Sequence, residues 1–231
     1  MSVIGLIGAM DDEVAVIKEW MTDLQHTEVA GCEFYQGKLD GVAVVLLKSG
    51  IGKVNAAVST TLLLDNFKPS AVINIGSAGG FDPELEVGDV IISDAVVHHD
   101  VDVTAFGYKL GQLPSMPETF VADQGLIELA QKAVTSVGQV KAKVGLVGTG
   151  DVFMCQAERV AQTRAAFPTL KAVEMEAAAV AQVCHKFAVP FVVVRSLSDV
   201  ADKESPASFE EYLATAAENS SLMIRAMLRE M

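Results

Sequence analysis

Residues 191–199 read FVVVRSLSD, an unbroken apolar run followed at once by an arginine, two serines and an aspartate. A strand with one wet face would alternate; a run apolar at every position through Val194 suits a strand buried on both faces by flanking helices. A second buried-type strand, Ala71–Ile75, gives way in the same manner to Gly76, Ser77, Ala78, Gly79 and Gly80, read here as a loop. In open α/β sheets, ligands sit where strands end in this way.

Working outward, strand-like and helical runs alternate along the chain. Val3–Ile7 is a short apolar run. Asp11–Leu24 has apolar residues at Val14, Ile17, Met21 and Leu24, a helical spacing with acids in its first turn. Glu33–Lys38 and Val42–Leu47 flank Asp40-Gly41, a hairpin signal. Helices are expected at Val54–Leu64, Leu126–Val137, Ala157–Ala166, Met175–Phe187 and Phe209–Leu228, and strands at Val90–Ser93, extending toward Val96–His99, and at Val144–Val147. Residues 100–120 have weak periodicity and are punctuated by Gly107, Pro114 and Pro117, which marks a functional or interface loop. No linker or repeat interrupts the series. The chain, 1–231, reads as a single α/β domain with helices on both faces of a largely parallel or mixed sheet.

Composition narrows the function. Hydrophobic residues make up 51% of the 231, enough for a sizeable core with apolar surface left for a subunit interface. The formal net charge of −13 disfavours nucleic acid, anionic membrane and multiply charged phosphate substrates, and favours a neutral or zwitterionic small molecule. No apolar run approaches a membrane span, and the N-terminus lacks the basic and apolar regions of a secretory signal. Cys32, Cys155 and Cys184 are odd in number and widely spaced, which fits a reducing cytoplasm and neither a zinc site nor a disulfide framework.

Four strand ends and one strand-to-helix junction carry the chemistry-bearing residues. In GAMDDEV (8–14), Asp11 and Asp12 read as helix N-terminal acids, while Glu13 is open to either that role or catalysis. SGIGK (49–53) and NIGSAGG (74–80) are glycine loops that match neither the Walker pattern nor the dinucleotide fingerprint. Asp199, after the apolar strand, can act as a proton donor, cap the next segment, or pair with Arg195. Glu174 and Glu176 flank Met175 and can share one face of a pocket, or be helix N-terminal acids. His98 and His99 adjoin Asp100 and Asp102, but adjacent histidines in a strand point to opposite faces; no metal is expected. His26 and His185 read as surface or packing residues.

Read together, GAMDDEV (8–14), KSGIGKVNAA (48–57), NIGSAGG (74–80), HDVDVTAFGY (99–108), GTGDVFM (148–154), VEMEAAAVAQVCH (173–185) and VPFVVVRSLSD (189–199) resemble the bacterial 5′-methylthioadenosine/S-adenosylhomocysteine nucleosidases, within the purine nucleoside phosphorylase superfamily. The resemblance implies a three-layer α/β/α fold around a central mixed, partly barrel-like sheet, assembled as a homodimer. It implies a nucleoside substrate, no cofactor, and a role in methionine salvage. By the same resemblance, Asp199 is the acid at purine N7, held by Ser198, and Glu13 activates the attacking water. Glu176 binds the ribose hydroxyls with Met175 packed on the sugar and base. Phe153 stacks on adenine, and the Met154 backbone reads the base edge. Ser77, with Ala78 and Gly79, and Arg195 line the water and ribose region. Met10, Ile51, Val103, Phe106, Pro114 and Phe209 line a 5′-thioalkyl pocket, part of it donated across the dimer by the 100–120 loop. Met154 stands where the family commonly has isoleucine or valine, and DPELE (82–86) reads as surface variation.

The chemistry agrees with that mapping. Breaking an N-glycosidic bond passes through an oxocarbenium-like state, with positive charge on the sugar and negative charge on the leaving base. A protonated Asp199 and ionised Glu13 and Glu176 divide the labour accordingly. Three rivals remain: a phosphorylase of the same fold, a non-catalytic nucleoside sensor, and a dinucleotide-dependent oxidoreductase. The first needs cationic clamps, yet the first arginine is Arg159. The second does not need Asp199 and Glu13 together, and the third lacks its fingerprint.

Overall fold

The computed structural model describes residues 3–137, 141–200 and 205–231. Its strands are β1 (Ile4–Gly8), β2 (Thr22–Val29), β3 (Cys32–Leu39), β4 (Val42–Lys48), β5 (Ala71–Gly80), β6 (Val90–His98), β7 (Phe120–Val121), β8 (Ala142–Thr149), β9 (Leu170–Glu174) and β10 (Phe191–Val200). Its helices are α1 (Asp11–Trp20), α2 (Lys53–Phe67), α3 (Gln124–Val137), α4 (Ala157–Ala166), α5 (Ala177–Phe187) and α6 (Ser205–Arg229). The strands form one mixed sheet in the order β10-β6-β8-β9-β5-β1-β4-β3-β2, with β7 on β6. Because β10 also pairs with β5, five strands close into a ring, and β1 to β4 extend from it as an open wing. This is the mixed, partly barrel-like sheet expected. Helices α1, α3 and α6 pack together in one outer layer and α2 with α5 in another, giving the three layers. Among the described residues no helix is long and apolar enough to cross a membrane.

Central strands owe their place to their composition. Val192, Val193 and Val194 of β10 and Val72 and Ile73 of β5 are wholly buried, as runs without polar alternation require. The β3–β4 hairpin turns at Asp40 (φ 48) and Gly41 (φ 89), two left-handed residues in the type I′ manner that Asp-Gly favours.

Several boundaries differ from expectation. Helix α1 stops at Trp20, and Leu24 belongs to β2, which escapes periodicity analysis because nearly every residue in it is exposed. Helix α5 starts at Ala177, since Glu176 is its non-helical N-cap. The 76–80 segment is strand: β5 continues beside β10 to Gly80↔Val200, with a register shift between Leu197 and Asp199. Glycine is required there for space. A Cβ on Gly76 (φ +137) would collide with Glu13 Oε1 and Arg195 Nη1. The 82–86 segment is also more than surface variation. Leu85 is in the core, and buried Asp82 pairs with Lys171 Nζ at 2.7 Å and Lys143 Nζ at 3.0 Å. Residues 100–120 hold only a 3-10 turn at Thr104–Phe106 and the start of β7, in keeping with a long irregular loop.

Candidate active site

At the carboxyl ends of β1, β5, β9 and β10 lies a cavity of about 210 Å3. That is several times the ~30 Å3 share of one water, so it takes a small organic molecule rather than a lone ion. Glu13, at the third position of α1, is 1% exposed. Its Oε2 accepts the Ala9 amide at 2.7 Å and the Met10 amide at 3.3 Å, half of a capping box. Its Oε1 turns inward and accepts the Ser77 amide at 2.9 Å and the Ser77 hydroxyl at 3.1 Å. One oxygen of Glu13 thus caps the helix, as the helix N-terminal reading expects, and the other bonds Ser77 in the cavity lining.

Arg195 is the hub. Its guanidinium is buried and donates through Nη2 to Glu174 Oε2 at 2.6 Å, Asn74 Oδ1 at 2.9 Å and Glu176 Oε2 at 3.4 Å. Nη1 donates to the Ser77 carbonyl at 3.3 Å and lies 3.9 Å from Glu13 Oε1. Burial alone would lower the pKa of this cation, but Glu174, Glu176 and Glu13 outweigh it and hold it above its ordinary value. Glu174 ends β9 and accepts the amides of Glu176 (2.9 Å) and Ala177 (2.8 Å), capping α5, and also the Thr149 hydroxyl. The paired-carboxylate reading of 174 and 176 thus holds geometrically, with Glu174 the residue that anchors Arg195.

Three carboxylates around one guanidinium leave excess negative charge. Glu176 carries the consequence: burial first, then the Glu174 charge, push its pKa well above the usual carboxylate range, to about 8. That direction opposes the ionised Glu176 expected from the sequence, because three carboxylates share the single cation Arg195. The Gly52 amide, donating to Glu176 Oε1 at 2.9 Å, works in the opposite direction.

Asp199, in the same lining, is 4% exposed, and the Ser198 hydroxyl donates to its Oδ1 at 3.0 Å. The neighbouring strand gives way for it, since a Cβ on Gly79 would sit 3.2 Å from Asp199 Oδ2. The lining also carries the apolar side chains of Met10, Ile51, Phe153, Met154, Met175 and Phe209. The Phe153 and Phe209 rings meet edge to face at 5.6 Å. Ala78 completes the lining beside Gly79.

Fourteen of the seventeen residues singled out from the sequence thus line one cavity. Val103, Phe106 and Pro114 do not; Phe106 is 80% exposed on the 100–120 loop. Ala9, Val152 and Val173 line the cavity without having been assigned to it, and Glu174, given no role beyond its pairing with Glu176, lines it too. Ala9, Val152 and Val173 carry no chemical signal that sequence alone exposes, whereas Glu174 had the signal of its spacing from Glu176. His98 and His99 lie apart from the cavity lining, His98 bonded through Nε2 to Gln182 at 3.0 Å.

Chemically, the cavity brings together the buried carboxyl of Asp199, a carboxylate–guanidinium cluster and apolar side chains in one lining. Comparison with known proteins gives a consistent result. The chain matches the phosphorylase superfamily over residues 3–229. It is 71% identical, over 229 residues and 99% of both chains, to the 5′-methylthioadenosine/S-adenosylhomocysteine nucleosidase of Marinomonas sp. (strain MWYL1). The nucleosidase of the same name from Colwellia psychrerythraea 34H, solved in complex with adenine, superposes with a TM-score of 0.97 at 54% identity, covering 99% of this chain and 95% of that one. The Neisseria meningitidis nucleosidase, solved with methylthio-immucillin-A, gives a TM-score of 0.98 at 44% identity over the full length of both.

Proposed function

Since the chain belongs to the phosphorylase superfamily, and within it to the 5′-methylthioadenosine/S-adenosylhomocysteine nucleosidases, we propose that it hydrolyses the N-glycosidic bond of both nucleosides through Asp199 and Glu13. It is an N-glycosyl hydrolase. The observation that carries the residue assignment is that Asp199 and the Glu13–Arg195–Glu174–Glu176 cluster line one cavity. Asp199 gives its proton to purine N7 as the C1′–N9 bond breaks and its electron pair passes into the base. Water adds to C1′ and gives its proton to Glu13. Adenine and the free 5′-thioribose sugar leave. Glu176 accepts the ribose hydroxyls, Met175 packs beneath the sugar, Phe153 stacks on the base, and the Met154 backbone reads its edge. Ser77 and Arg195 hold Glu13 in place, and the Ser198 hydroxyl holds Asp199.

Water, rather than phosphate, is favoured as nucleophile by the fate of the cations. Among the described residues, Arg195 is the only basic side chain lining the cavity, and its Nη1 and Nη2 already donate to Glu174, Glu176, Asn74 and Ser77. Lys48 is paired with Asp11 and Glu33, and Lys53 with Asp100. A phosphate dianion would meet carboxylates without a clamp. Adenine release from methylthioadenosine is expected to proceed at the same rate with and without phosphate and to yield a reducing sugar. A ribose 1-phosphate product would restore the phosphorylase reading.

The proposal extends to a cytoplasmic homodimer in which Val103, Phe106 and Pro114 of one copy complete the 5′ pocket formed by Met10, Ile51 and Phe209 of the other. Apolar exposure supports it: besides Phe106, Val54 and Val58 of α2 are 73% and 48% exposed. Burying a methylthio group is worth roughly 1–2 kcal/mol, and forcing adenosine's hydroxyl into the same pocket costs about 1–3 kcal/mol. The expected preference for methylthioadenosine over adenosine is therefore at least about tenfold in kcat/KM. Phe106→Ala is expected to shrink it. A monomer in sedimentation that cleaves both substrates equally well would remove the shared pocket.

A further inference from the structure

Three segments far apart in sequence are tied together at the rim of the cavity. Helix α2 starts at Lys53 after Gly52, with no side-chain cap from its own sequence. The cap comes from Asp151, whose Oδ1 accepts the Lys53 amide at 2.8 Å. A carboxylate at that point also suits the positive end of the helix dipole. Asp151 is itself held, because its amide donates to Asp100 Oδ2 at 3.0 Å while Asp100 Oδ1 pairs with Lys53 Nζ at 2.7 Å. The Lys53 and Asp100 side chains are only 20% and 24% exposed, so solvent screens the pair weakly. Gly52 has φ +93, and a Cβ on it would stand 3.1 Å from Asp151 Oδ1. The turn is thus shaped around that carboxylate, and its Gly52 amide is the one that donates to Glu176 Oε1.

We infer that Asp151 is a positioning residue for the sugar end of the site: anchored by Asp100 and Lys53, it fixes the Gly52–Lys53 turn so that the Gly52 amide stays on Glu176. The inference rests on the reading of Glu176 as the carboxylate that accepts the ribose hydroxyls. A backbone N–H on Glu176 favours its charged, accepting form against burial and the Glu174 charge. Without the turn, Glu176 keeps its proton to higher pH and loses its fixed orientation. Asp151 also leads directly into Val152, Phe153 and Met154, so a role at the base wall is the competing outcome.

The test compares Asp151→Ala, Asp151→Asn, Glu176→Gln and the Asp151→Ala/Glu176→Gln double variant on methylthioadenosine across pH, with adenine as inhibitor. Asp151→Ala is expected to raise KM about tenfold, the scale of one hydrogen bond to a charged group, with a smaller fall in kcat. The acid limb of kcat/KM should move to higher pH, and inhibition by adenine, which has no sugar, should stay within about twofold. Asp151→Asn keeps an acceptor oxygen and should recover most of the loss. The double variant should be no worse than Glu176→Gln alone, since both changes act on one contact. Additive losses, or an unchanged KM and pH profile in Asp151→Ala, would overturn the inference, as would adenine inhibition weakening in step with KM. Should Asp151→Ala not fold, Lys53→Met removes the anchor and must move the acid limb the same way; an unmoved limb counts against the inference. A Glu176→Gln enzyme with wild-type KM would strike the sugar-binding reading itself, whatever the Asp151 variants do.

Discussion

Asp199→Asn is expected to lower kcat at least about a hundredfold, the lower end of what a positioned proton donor contributes, while leaving the fold intact. The expectation comes from how little the substitution changes apart from the proton. Asp199 is 4% exposed, and the Ser198 hydroxyl donates to its Oδ1 at 3.0 Å. An asparagine keeps the volume and presents an oxygen to the same hydroxyl, so neighbouring Gly79 and the β5–β10 pairing stay undisturbed. What it cannot do is transfer a proton to N7 as the glycosidic bond breaks, so the base must leave as an anion. Binding should fare better than turnover. Titration of the variant with adenine or an unreactive substrate analogue is expected to give affinity close to wild type, beside steady-state kinetics that show the loss in kcat. Near-normal turnover would remove Asp199 from the mechanism. A matching loss of analogue affinity would make it a binding residue instead.

How far the sequence reaches can be judged from particular residues. The β3–β4 hairpin was legible because Asp40-Gly41 has a conformational signature, and β10 because Phe191–Val194 is apolar without a break. β2 was not, since TDLQHTEV is almost wholly exposed and is held by its pairing to β3, including Lys38 to Asp23 at 2.9 Å, rather than by burial. The glycines of 76–80 looked like a loop for a related reason. They lie in a strand whose side-chain space is occupied by Glu13, Arg195, Leu197 and Asp199, and local composition does not reveal what fills the space beside a glycine. At the site, strand ends pointed one by one to residues that line the cavity. Their grouping was hidden: Asn74, Thr149, Glu174 and Arg195 meet only when β5, β8, β9 and β10 close into the ring. Asp151 and Asp100 act on α2 from distant segments, so no window centred on α2 contains its cap.

The same hidden grouping makes Arg195→Met the most damaging substitution expected for the fold. Removing one partner of a buried ion pair leaves uncompensated charge and typically costs about 3–5 kcal/mol. Here the cation answers to Glu174 at 2.6 Å, Glu176 at 3.4 Å and Glu13 at 3.9 Å, so a single change strands three carboxylates. The partnerless, buried Arg195 Nε is a small offset, since its desolvation penalty vanishes with the side chain. For a chain of this size, the expected loss corresponds to a fall in Tm of roughly 6–20 °C. Its pH dependence separates a charge effect from a packing effect. Glu176 already has a folded-state pKa above its unfolded value of 4.5, so its contribution to stability is complete below about 4.5 and declines as pH rises through about 8. Without Arg195, whose charge lowers the Glu176 pKa, Glu176 binds its proton still more tightly in the folded state. The deficit against wild type should therefore be smaller at pH 5, where a retained proton relieves the repulsion, and larger at pH 8. Urea unfolding of both proteins at the two values measures it directly, with Arg195→Lys as the variant that keeps charge but loses the planar fork. An equal deficit at pH 5 and pH 8 would mean that Arg195 stabilises by filling space. A deficit below about 1 kcal/mol would mean that the cluster holds its geometry without its cation.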